Sequence, residues 1–133
     1  MTTINANERI INVGSAGFLH CFYSTIYKYV SNTEASAAII FLKSGKLSFS
    51  DGLKTAREFN IIRDKLSMLS PDKIIWDIND TDAHPPWGKN ISPVITSLGN
   101  YFITADGKDL IFEIILLLQY ATDNGVDIEI HNK

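Results

Sequence analysis

The sequence predicts one α+β or α/β layered domain spanning residues 1–133, with about three helices and four to six short strands. Three observations carry this. Two long stretches keep apolar residues at helical spacing, a third is apolar nearly all round, and short apolar or alternating runs separate them. The length suits a single domain. Hydrophobic residues make up 45% and charged residues 20%, an ordinary globular balance.

Ile10-Ile11-Asn12-Val13 is read as a short strand. Gly14-Ser15-Ala16-Gly17 follows as a tight turn, with Ser15 as the cap of a helix from Phe18 to Val30. Phe18, Phe22, Ile26 and Tyr29 share one face of that helix. The apolar run Ala37 to Leu42 reads as a buried strand, Lys43 to Lys46 as a turn, and Leu47-Ser48-Phe49 as a second short strand. Ser50 or Asp51 then caps a helix reaching Met68 or Leu69, which Pro71 stops.

Lys73 to Ile78 is strand-like, and Asn79 to Asn90 is loop. Ser92-Pro93 is placed to open a short helix through Leu98, and Tyr101 to Thr104 reads as extended. Asp106 to Asp109 turns into a helix from Leu110 to Asn124, with Gly125 as its C-terminal cap. Val126 to Ile130 alternates and reads as an edge strand with Asp127 and Glu129 on its wet face.

Composition narrows the function. Twelve Lys and Arg against fifteen Asp and Glu give a net charge of −3, which speaks against a nucleic-acid binder with its basic stripe. The N-terminal residues lack the pattern of a signal peptide, and the longest apolar stretch is far short of the ~20 residues a span needs. A soluble cytoplasmic protein with no membrane contact is expected. The one cysteine, Cys21, lies among apolar and aromatic residues and reads as a buried inert thiol.

No motif makes a positive case for catalysis, and no cofactor site is read. Gly14 to Gly17 lacks both the Lys of a phosphate loop and the spacing of a dinucleotide fold. Asp77, Asn79 and Thr81 alternate as in a calcium loop, but Gly88 stands where that loop needs Glu. Asp80, Asp82 and His84 are the residues from which a small metal-dependent hydrolase would have to be built. The competing reading is an acidic patch that pairs with Lys and Arg of a protein partner. Pro85-Pro86-Trp87-Gly88 beside it stiffens the loop, leaving Trp87 either an interface anchor or a cover for the core edge.

Five segments together resemble a known family. They are Gly14 to Phe18, Trp76-Asp77, Pro85 to Gly88, Ser97 to Phe102, and Thr104 to Leu110. The chain resembles the bacterial immunity proteins of polymorphic toxin systems, including those of contact-dependent growth inhibition. The resemblance implies a non-enzymatic, cytoplasmic inhibitor. Its partner would be the C-terminal domain of a cognate toxin, commonly a nuclease, and no catalytic residue is carried over. On this reading the toxin-binding candidates are Asp77, Asp80, Asp82, His84 and Trp87, with Asp127 and Glu129 as a competing surface.

Overall fold

A computed structural model describes residues 1–132. Among these residues four strands form an antiparallel sheet in the order β2 (Arg9–Gly14), β1 (Thr2–Ala6), β4 (Ile128–Asn132), β3 (Lys46–Leu47), and four helices complete an α+β fold. β1 (Thr2–Ala6) and β2 (Arg9–Gly14) make a hairpin whose turn is Asn7-Glu8. Asn7 has φ 57°, a left-handed conformation that asparagine tolerates and two-residue hairpin turns require. The first of these strands had no counterpart in the sequence reading.

The sheet's inner face carries Ile4, Ala6, Ile11, Val13 and Ile128, all buried. They belong to one continuous core with the apolar faces of the helices. The register puts Thr3, Asn5, Ile10, Asn12, Glu129 and His131 on the opposite face.

α1 (Ala16–Tyr29) starts as expected, with the Phe18 amide donating to Ser15 Oγ at 3.0 Å. Phe22 is its largest fully buried side chain, stacked on Phe59 and edge-on to Phe102. α3 (Gly52–Leu66) and α4 (Leu110–Asn124) follow the expected spans closely. At α4 the Phe112 amide donates to Asp109 Oδ1 at 3.1 Å, and Gly125 closes the far end with φ 65°.

Several expectations need correction. The run read as a buried strand, Ala37 to Leu42, lies in a helix, α2 (Ser36–Ser44), which brings the helix count to four. A short apolar run does not reveal its period. The deciding group is remote: Glu58 of α3, only 7% exposed, accepts the Ala38 amide at 2.9 Å. That bond satisfies one of the orphan donors of α2's first turn, where Ala35 offers no side-chain cap. Glu58→Ala is expected to cost about 1–3 kcal/mol, and Glu58→Gln less, because its amide oxygen still accepts. Urea unfolding midpoints of the two variants check this.

β3 is only Lys46–Leu47, and Phe49 enters a 3-10 turn (Phe49–Asp51). The edge assignment for the last strand is also reversed. β4 (Ile128–Asn132) lies inside the sheet, paired with β1 along Thr2 to Asn5 and with β3 at Lys46 and Leu47. The expected helix from Ser92 to Leu98 is replaced by turns and a 3-10 turn (Leu98–Asn100). There Asn100 Oδ1 accepts the Thr96 and Ser97 amides, so a side chain supplies the acceptor that helical carbonyls would otherwise provide.

Candidate docking site

The chain between α3 and α4 is a long connection with little regular structure, and α1 decides where it goes. Its first stretch, residues 73–78, was read as a strand. Here it pairs with the side chains of a helix. The Thr25 hydroxyl donates to the Ile75 carbonyl and accepts the Ile75 amide, both at 3.2 Å. The Ile78 amide donates to Ser24 Oγ at 3.0 Å, and the Tyr29 hydroxyl donates to the Lys73 carbonyl at 2.7 Å. His20 Nε2 lies 3.0 Å from Asp77 Oδ1. An ionised carboxylate only accepts, so Nε2 carries the proton in this bond.

Asp77 is therefore occupied by its own chain. The His20 hydrogen bond, and after it the bond from the Asn79 amide, hold its carboxyl below the usual carboxylate range. Asp77 is half-buried, whereas Asp80, Asp82 and His84 are exposed. Neither the Asp80 nor the Asp82 carboxylate has a hydrogen-bond or ion-pair partner among the described residues. Backbone bonds from Asp80 N to Asp77 O and from Ala83 N to Asp80 O shape this acidic turn.

Two tryptophans close the loop. Trp76 and Trp87 meet edge to face, with ring centroids 5.4 Å apart. Phe18 at the start of α1 packs edge-on to Trp87 and against Phe102. The Trp87 indole N–H donates to the Tyr101 hydroxyl at 2.6 Å. Gly17 has a specific reason here, since a Cβ on it would lie 3.0 Å from Trp76 Cη2. Residues 77–86 thus form a compact loop whose ends are clasped together over the first turn of α1. Of the two readings of Trp87, the geometry matches the one in which it folds back onto the core edge.

Four of the segments that carry the family resemblance converge at this clasp: Gly17 and Phe18, Trp76, Trp87, and Tyr101 with Phe102. The contacts among them are long-range, so the sequence showed the residues without their meeting point. Sequence reasoning gave Ser24 and Thr25 no role, placed Tyr29 on the apolar face of its helix, and did not connect His20 with Asp77. Their one signal was a polar stripe on an otherwise apolar helix.

The competing surface is separate. Asp127 and Glu129 border a shallow depression of about 300 Å³ with Asn5, Asn7, Ile10 and His131. Asp127 Oδ1 accepts the Phe49 amide at 3.0 Å, and Glu129 pairs with His131 at 3.2 Å, so both carboxylates have intramolecular partners.

Asp80, Asp82 and His84 do not converge: among the described residues no group of three or more His, Cys, Asp or Glu is arranged to hold a metal ion. Burial pushes the Cys21 thiol up to about 12, which makes it a poor source of thiolate. Among the described residues no helix is long and apolar enough to cross a membrane. No curated protein and no solved structure matches the chain. The Immunity protein 70 family matches it over residues 4–130, and the chain belongs to that family.

Proposed function

We propose that this protein neutralises a cognate toxin domain by binding it in the cytoplasm of the producing cell, without catalysing a reaction. Membership of an immunity-protein family over residues 4–130 is the observation that carries this reading. A nuclease is the toxin class we favour, because a basic substrate cleft complements exposed carboxylates and a net charge of −3.

The docking face is assigned to the clasped loop. Asp80 and Asp82 are the carboxylates left free to meet Lys or Arg of a toxin, and His84 is exposed beside them. Asp77 and Trp87 support this face by holding its two ends, and Asp127 and Glu129 are the alternative surface. Charge at such a face acts mainly on the rate of encounter.

The test is the double variant Asp80→Lys with Asp82→Lys, mixed with the cognate toxin domain, which this reading expects to be encoded directly upstream of the gene for this protein. At low salt the association rate is expected to fall by roughly tenfold, with a flatter dependence on ionic strength. An unchanged rate and an unchanged salt slope remove the loop from the interface. The same substitutions at Asp127 and Glu129 would then examine the other surface.

A further inference from the structure

We infer that Ser24 and Thr25 of α1, supported by His20 and Tyr29, are positioning residues that hold the acidic loop in its binding shape before any partner arrives. The inference rests on the loop being the docking face. What motivates it is the kind of bond used. Thr25 engages both main-chain groups of Ile75, as a neighbouring strand would, and Ser24 accepts the amide of Ile78, three residues further on. Both hydroxyl residues are fully buried, at 0% exposure, where a hydroxyl left without a partner would be costly. His20 and Tyr29 add two more attachments, at Asp77 and at Lys73.

Ser24, Thr25 and Tyr29 hold Ile78, Ile75 and Lys73 in antiparallel order, and with His20 on Asp77 four attachments fix the path of the strip rather than one point on it. Asp80 begins two residues beyond the last attachment, and the Asp77–Asp80 backbone bond turns the chain there. The far end is pinned at Trp87 by Tyr101. The exposed carboxylates therefore stand on a span anchored at both ends. A pre-ordered surface loses less conformational freedom on association, and that gain appears mostly in the dissociation rate.

Thr25→Val keeps the shape and removes both bonds, Ser24→Ala removes one, and Thr25→Ser restores the hydroxyl. Hydrogen exchange is measured at the Ile75 and Ile78 amides of the free protein. Dissociation is measured from the cognate toxin domain of the proposed function. Thr25→Val is expected to speed exchange at Ile75, and Ser24→Ala at Ile78, by at least about fivefold, with α4 amides unchanged and Thr25→Ser close to the parent protein. The complex of either loosened variant is expected to dissociate several-fold faster, while the salt slope of association stays as in the parent. If Thr25→Val does not fold, Ser24→Ala and Tyr29→Phe carry the same comparison. Unchanged exchange at Ile75 and Ile78 overturns the attachment. Faster exchange with an unchanged dissociation rate overturns the positioning role. Loss of the loop as a docking face is read separately, from the Asp80 and Asp82 charge reversal.

Discussion

Phe22→Ala is expected to destabilise the protein by about 3–5 kcal/mol. Phe22 has 0% exposure and sits where three parts of the chain meet. Its ring stacks on Phe59 of α3 at 6.3 Å, with an interplanar angle of 8°, and takes Phe102 edge-on at 4.9 Å. Phe102 in turn touches Phe18 and Tyr101, the inner side of the tryptophan clasp. Truncation loses the transfer free energy of a ring and leaves a cavity that helices on either side close only partly. The aromatic pairs add about 0.5–1.5 kcal/mol beyond burial. Phe22→Leu fills most of the space and is expected to cost clearly less. The measurement is the urea midpoint at constant slope. A loss under 1 kcal/mol for Phe22→Ala would contradict this picture of the core.

Gly52→Ala is expected to destabilise by about 1–3 kcal/mol, although alanine is the better helix former. Gly52 opens α3 where that helix crosses α4. A Cβ there would lie 2.1 Å from Thr122 Oγ1 and 3.0 Å from the Leu118 carbonyl oxygen. The first neighbour belongs to a stiff β-branched side chain that also donates to Leu118 O at 2.9 Å, and the second is helix backbone. Neither moves freely, so the helices must separate. The clash outweighs the roughly 0.5–1 kcal/mol that alanine gains over glycine in a helix. Thr122→Ala removes the nearer atom. The pair Gly52→Ala with Thr122→Ala is therefore expected to be more stable than the sum of the single effects, and a double-mutant cycle measures that coupling. Rescue stays partial because the Leu118 contact persists.

Legibility followed the range of the deciding interaction. α4 was readable to the residue because its signals are local: Asp109 before it, Gly125 after it, and an apolar span between. α1 was readable at its start for the same reason, through Ser15. α2 was not, because Glu58, twenty residues away, supplies the acceptor at its first turn. Residues 73–78 carry a strand pattern truthfully, in that their backbone groups do find partners in an extended segment. Those partners are Thr25 and Ser24, which no strand pattern announces. The last strand alternates as an edge strand would. It lies inside the sheet because β3 adds only two residues beyond it, leaving its outer face as polar as expected.

The candidate site divides in the same way. Asp80, Asp82 and His84 were visible as exposed polar residues on a proline-stiffened loop, and the structure leaves them exposed. That Asp77 would be taken by His20, and Trp87 by Tyr101, depends on contacts 57 and 14 residues apart in the chain. Those two engagements turn a string of polar residues into a clasped loop.

The most direct measurement is a titration of the toxin domain this protein is proposed to neutralise, reading the toxin's own activity. Binding predicts inhibition that rises linearly to a fixed stoichiometric endpoint, with the toxin recovered chemically intact after separation. Inactivation by a small fraction of an equivalent, or full toxin activity in the presence of excess protein, would contradict it.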